Sequence, residues 1–473
     1  MKTFFSLVLL GLAGATGVAA QGLVSDLPAV HITLDDPAAI NTESYTTSQM
    51  TIIDADGTQT VYADTRLRGR GSAKFALPKK PYKLKLTSKA RLLGADGANA
   101  KKWNLMAQAG DKTLLRNAVA SYIALQAGQP FAPGWRFVDL TINGEQQGTY
   151  QLTDQVDIRK KRVNITEQPE TVDATTDISG GYLLEIDEDA DDAEGTVFTT
   201  SHGVKVTVMS PDEDYLIAAQ KDYIAAHVQK FEDALFADNW LDPKDGYRKY
   251  LDLESLVQWY ITAEYTAEPN SFRSVYFYKE MTDDRLTFGP VWDFDFAFDN
   301  SERFGSRPRA LVAQEGRGQQ WCYTWINRLR QDPGFHQAVN EAWQRLTANG
   351  IVGKVNSFID AQAAGLEKSQ ALNFSIWPIA EKVHDEMHLF ATYGEGIDFL
   401  KQTQAARADF LTEAFATLAA GGTVPIVGPQ DSINEIDADE PGSSASAYDL
   451  QGRRVVNPGR GLYVKGGKLI LVR

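Results

Sequence analysis

The hydrophobic period changes once along this chain, and that change limits its fold more than any other feature. Between residues 29 and 107, "AVHITL", "QMTIID" and "KPYKLKLT" alternate or are β-branched, and Gly, Pro and Asp punctuate them. From about 322 to 419 the spacing is nearly all helical, in "WINRLRQDPGFHQAVNEAWQRLT", "VNSFIDAQAAGLEKSQALN" and "FLKQTQAARADFLTEAFATLA". Between these blocks, "DKTLLRNAVASYIALQAG" at 111–128 reads as an amphipathic helix that Asp111 can cap and Gly128 can end. Strands follow in "WRFVDLTING", "EQQGTYQLTD" and "GGYLLEID", with a hairpin turn at Asn143-Gly144. Helices are expected over 212–236 and 251–266, then strands at "SVYFYKEM", "RLTFGPV" and the start of "WDFDFAF". The predicted class is α+β, with a β-rich first half and a helical second half.

The first residues, "MKTFFSLVLLGLAGATGVAA", carry Lys2, a short apolar run and small residues at Ala19 and Ala20, the pattern of a secretory signal cleaved after Ala20. No later segment is long and apolar enough to span a bilayer. The expectation is an exported protein at the cell surface or released, with no membrane span once mature. A net charge of −15, from 47 basic and 62 acidic residues, argues against general nucleic-acid binding. The single Cys322 excludes an internal disulfide and any Cys-rich metal site.

Residues 420–446 are rich in Gly, Pro, Ser and acids and read as a linker. The tail at 447–473 inverts the charge, with six Lys or Arg and one acid, and reads as a small module of short strands.

Two stretches hold the main candidate chemistry. "RLRGRGSAKFALPKKPYKLKL" at 66–86 is the most basic, and its Gly69 and Gly71 allow close backbone approach to a ligand. Lys83 and Lys85 share one strand face beyond them, so the segment is either a phosphate cradle or a solvated basic strand. In "GPVWDFDFAFD" at 289–299, strand alternation would turn Trp292, Phe294, Phe296 and Phe298 one way and Asp293 with Asp295 the other. Two carboxylates so close repel unless a positive group lies between them. They suit Mg²⁺, a glycosidase acid/base pair, or a solvated face. "HDEMH" at 384–388 would set His384 and His388 on one helix face at a zinc spacing, without a third ligand. "EIDEDADDAE" at 185–194 matches a calcium loop poorly, because Asp192 stands where that loop needs glycine. There is no GxSxG and no Walker motif.

Taken in order, "RGRGSAKFALPKKPYKLKL", "DKTLLRNAVASYIA", "LTINGEQQGTYQLTDQV", "GGYLLEID" and "FGPVWDFDFAFD" closely resemble successive motifs of the CotH family, the spore-coat-protein-H type of atypical protein kinase. The resemblance covers roughly residues 28–415. It implies a divergent protein-kinase-like α+β domain that binds ATP with Mg²⁺ or Mn²⁺ and phosphorylates Ser hydroxyls of a partner protein. It implies that Arg68, Arg70 and Ser72 lie near the nucleotide and that Lys85 contacts its phosphates. Asp293 would bind the metal, with Asp295 assisting, so that the metal would be the positive group between them. Asp111, Arg116 and Glu185 match motif positions without an assigned role.

Two departures bear on activity. The family's glycine segment usually continues Asn-Ser, where this chain has Ser72-Ala73. Upstream of the WDxD motif relatives commonly read Asn-x-Asp before F-x-S, where this chain reads "EPNSFRS". Glu268 then stands for the Asn and Asn270 for the Asp. An amide cannot take a proton from a substrate hydroxyl, though it can orient one, and Glu268 could serve as base. The alternative function is a catalytically inactive surface-binding relative. A glycan-binding or glycan-processing protein is a third reading. The tail "YDLQGRRV...GLYVKGGKLILV" resembles the C-terminal sorting modules of exported Bacteroidetes-type proteins, which implies contact with outer-membrane secretion machinery.

Overall fold

The computed structural model describes residues 23–425 except 191, 193–194, 303–304, 306–308 and 316–318, together with the tail strands at 447–448, 454–455, 461–465 and 468–472. The expected signal segment and most of the expected linker lie outside the described residues. No helix among the described residues is long and apolar enough to cross a membrane.

Seven strands close into a barrel. They are β1 (Ala29–Thr33), β2 (Thr46–Ile53), β3 (Gln59–Gly69), β4 (Tyr82–Ala90), β5 (Ala100–Met106), β6 (Trp135–Ile142) and β7 (Glu145–Asp154), in spatial order 1-2-3-4-5-7-6. The barrel closes through a parallel pairing of β1 with β6. Alternation along each strand sends apolar side chains inward, so Val30, Leu84, Trp103, Val138 and Leu152 meet in the interior. The β6–β7 hairpin turns at Asn143 (φ 48°) and Gly144 (φ 86°), both left-handed as a two-residue turn of this type requires.

The second sheet has the order β12-β11-β8-β10-β9, from β8 (Tyr182–Asp187), β9 (Val197–Thr199), β10 (Lys205–Ser210), β11 (Ser274–Lys279) and β12 (Thr287–Phe288). A one-turn helix α1 (Ser72–Phe75) follows β3, and α2 (Arg116–Ala127) sits between β5 and β6. Then come α3 (Ala218–Phe236), α4 (Leu253–Thr266), α5 (Asn327–Leu329), α6 (Pro333–Ala348), α7 (Ile351–Gly365), α8 (Glu367–Ile376) and α9 (Tyr393–Ala419). Helix α4 is apolar nearly all round because α2, α6 and α9 pack on it. Its Glu264 is buried and accepts the N–H groups of Val312 and Ala313 while pairing with Arg407. The strand-rich half and helical half thus follow the order that the periodicity predicts. The tail is a separate unit, a four-stranded antiparallel sheet of Ala447–Tyr448, Arg454–Val455, Gly461–Lys465 and Lys468–Val472.

Three local expectations fail. Helix α2 starts at Arg116 rather than Asp111, because Asp111 is spent on the turn before it, accepting from the Thr113 and Arg116 N–H groups. Residues 384–388 are not helical. There, the buried Glu386 carboxylate folds back on the Val383 and His384 N–H groups and pairs with Lys112 at 3.2 Å. Residues 291–300 form no strand, and they have no ladder partner.

Candidate functional site

The loop at 291–300 is held from three sides. The Asn117 side-chain oxygen accepts the Phe294 N–H at 2.6 Å, the Thr266 carbonyl accepts the Phe298 N–H at 2.7 Å, and Arg116 Nε donates to the Ala297 carbonyl at 2.8 Å. Helix α2 and the end of α4 therefore set the position of the paired aspartates. Asp293 is left-handed (φ 62°), as Asp tolerates, and Phe294, Phe296 and Phe298 are buried. The three phenylalanines do go inward while Trp292 stays half-buried, and the aspartates do come together, but through turns rather than strand alternation.

The positive group between the carboxylates is an ammonium. Lys74 Nζ lies 2.9 Å from Asp293 Oδ1 and 2.7 Å from Asp295 Oδ1. Its position follows from the glycine turn. Gly71 is left-handed (φ 64°), and α1 follows at once with Lys74 on it. At Gly69 a Cβ would lie 2.5 Å from the Phe75 ring, so only glycine lets this turn close. Arg70 completes the cluster, 3.6 Å from Asp293 Oδ1 and stacked 5.1 Å from the Trp292 ring. Burial opposes charge at Asp293, yet Lys74 and Arg70 prevail and hold it down to about 2. Burial also opposes charge on Lys74, and the two aspartates outweigh it, raising the lysine to about 12. Asp295 is pushed up by burial despite Lys74.

A cavity of about 510 Å³ opens beside this cluster, walled by the barrel on one side and the second sheet on the other. That volume falls within the roughly 300–1,000 Å³ usual for small-molecule sites. Arg70, Lys74 and Lys83 face Asp154, Glu185, Asp187 and Asp293 in its lining, and Met106, Pro133, Val156, Met209 and Val291 give it apolar wall. Lys83 on β4 is lowered to about 8 by burial and by Arg68, Arg70 and Lys102. Glu185 on β8 is pushed up to about 7, by burial above all and then by Asp187. Ser274 donates to Glu185 and accepts from Trp292 Nε1 at 3.0 Å, which joins the second sheet to the aspartate loop.

Of the residues expected at the site, Arg70, Asp293 and Asp295 meet. Ser72 opens α1. Lys85 and Arg68 do not line the cavity; Lys85 Nζ is 5.7 Å and the Arg68 guanidinium 4.8 Å from the Tyr45 ring. The register explains the placement. Lys83 pairs with Arg68 and Lys85 with Arg66, so Lys85 sits two residues farther from the glycine turn. Those two residues move it about 7 Å along the strand. Lys79 and Lys80 of the same basic run are structural, donating to Thr149 and Phe75 carbonyls at 2.6 and 2.8 Å.

Glu268 is 0 % exposed, its Oε1 accepts the Asn270 N–H at 3.0 Å, and its Oε2 has no partner. Burial, then Asp295, raises it well above the carboxylate range, which favours its protonated form, and the same burial closes it to a substrate hydroxyl. Asn270 is half-buried and is not a lining residue of the cavity. No group of three or more His, Cys, Asp or Glu able to hold a metal occurs among the described residues. His388 instead faces Asp299 at 3.5 Å.

Sequence reasoning left Lys74 unnamed and did not find the anchoring roles of Arg116 and Asn117. Lys74 was within reach, since it stands three residues past Gly71 in the most basic stretch of the chain.

Compared with protein-family models, residues 66–411 match CotH, described as CotH kinase protein, and the chain belongs to that family. A comparison with curated proteins finds no match.

Proposed function

We propose that the chain transfers phosphate from ATP to Ser hydroxyls of a protein, with a divalent metal at Asp293 and Asp295. The observation that carries this is the convergence of Arg70, Lys83 and Asp293 on one cavity between the barrel and the second sheet. Lys83 and Arg70 supply positive charge for phosphate oxygens, and the apolar wall suits a base. The two aspartate Oδ1 atoms already share one cation within 2.9 Å, so the pair fits Mg²⁺ or Mn²⁺, which take one or two carboxylates plus substrate phosphates. A bound divalent ion would offset charge on the phosphoryl group in transfer. Arg116 and Asn117 hold the aspartate loop, and Trp292 with Ser274 keeps Glu185 oriented toward the same cavity.

A second reading is a nucleotide-binding protein without transfer. The burial of Glu268 favours it, since neither that acid nor the Asn270 amide can take a proton from an acceptor hydroxyl. Both readings belong to a protein exported by its first twenty or so residues, with a tail that engages outer-membrane secretion machinery; fractionating cells that express the chain with and without its tail tests this. ATP with Mn²⁺ should raise the melting temperature of the full chain, and the Asp293→Ala variant should lose that rise. Equal melting with and without ATP would remove both nucleotide readings.

A further inference from the structure

Around Asp295 the acidic groups outnumber what a structural ion pair needs. Asp293 and Asp295 put both Oδ1 atoms on the one ammonium of Lys74, two carboxylates where a single ion pair needs one. The ammonium of Lys74 sits where a cation bridging the two carboxylates has to sit. Its side chain is 20 % exposed and also lines the cavity, so it has somewhere to go when displaced. Arg70 reaches only Asp293, and only at 3.6 Å, so it cannot replace Lys74 between the pair.

We propose that Lys74 is a built-in competitor for the metal, holding the divalent cation's place between Asp293 and Asp295 until a phosphate-bearing ligand in the cavity draws the ammonium away. This rests on the reading of that aspartate pair as the metal carboxylates. Two consequences follow from charge alone. Without nucleotide, a divalent ion must displace an ammonium held by two short ion pairs, which weakens its binding. With nucleotide, the phosphates give the ammonium a second partner, so metal and nucleotide load together.

Free Mn²⁺ followed by electron paramagnetic resonance, on the full chain without nucleotide, tests the first consequence. Lys74→Met should bind Mn²⁺ at least about tenfold more tightly than wild type, some 1.4 kcal/mol. It should also melt lower without metal and recover with Mn²⁺, because the carboxylates then lack a counter-ion. Lys74→Gln serves where the Met variant does not fold. Equal or weaker Mn²⁺ binding in whichever variant folds overturns the proposal, since a lysine with a merely structural role gives no gain. A non-hydrolysable ATP analogue should tighten Mn²⁺ more in wild type than in the variant, and equal tightening overturns the handover of Lys74 to phosphate. Tighter Mn²⁺ binding in the variant, with no response to the analogue in either protein, supports the competitor and overturns both the handover and the nucleotide reading.

Discussion

Replacing Glu185 by Gln should stabilise the protein, and only above a defined pH. The carboxyl is 8 % exposed and is pushed from an ordinary 4.5 up to about 7, burial being the main cause. A raised acid keeps its proton in the folded chain after the unfolded chain has lost it. Stability therefore falls as pH rises from 4.5, and the full penalty is present once pH passes 7. A gap of two to three pKa units corresponds to roughly 3 kcal/mol. Glutamine is neutral throughout and keeps an oxygen for the Ser274 hydroxyl. For a folded unit of this size, with an unfolding entropy of ~0.8 kcal/mol per kelvin, the variant should melt about 4 °C higher at pH 8.5 and no higher at pH 4. Melting curves of both proteins across that range, read by circular dichroism, measure the gap. A constant offset at every pH, or a variant less stable at pH 8.5, would refute the argument that Glu185 is buried against its charge.

Three further outcomes follow from the same geometry. Arg116→Met removes the donor to the Ala297 carbonyl and leaves the buried Asp111 with its N–H partners but without a counter-ion, which should cost about 3–5 kcal/mol in urea unfolding. Gly69→Ala forces a Cβ to within 2.5 Å of the Phe75 ring, and its displacement should cost about 1–3 kcal/mol. Because Phe75 shares α1 with Lys74, the same variant should also show a smaller ATP-dependent melting shift. Lys83→Met should behave in the opposite way to Arg116→Met. Burial lowers the folded pKa of Lys83 to about 8, so its charge opposes folding below pH 8 and that penalty is relieved as pH rises toward 10.5. The variant should be no less stable at pH 7 and yet lose the ATP-dependent shift; a less stable variant that keeps the shift would make Lys83 structural.

Much of this was legible in the chain because the signals were local. Asn143-Gly144 dictates a two-residue hairpin whatever surrounds it, and Gly128 ends α2 with the left-handed conformation that glycine adopts freely (φ 102°). The order of periods, strands first and helices last, carried the fold class. What stayed hidden depended on partners distant in sequence. Aromatic alternation in "WDFDFAF" imitates a strand, but Asn117, Thr266 and Arg116 take up its backbone groups and make it a turn-rich loop. The two histidines of "HDEMH" have helical spacing, while the Lys112–Glu386 pair fixes a turn there. That Lys83 rather than Lys85 lines the cavity is set by register, which pattern cannot supply. A question posed by two neighbouring carboxylates was answered by a lysine more than two hundred residues away.

The most direct test of the account is the intact mass of the full chain, and of an added Ser-rich acceptor protein, after incubation with ATP and Mn²⁺ beside the Asp293→Ala variant. Phosphate-sized mass gains on either protein, absent with the variant, are the predicted result. ATP-dependent stabilisation of the wild type with no mass gain on chain or acceptor would contradict phosphoryl transfer and leave a protein that holds a nucleotide without spending it.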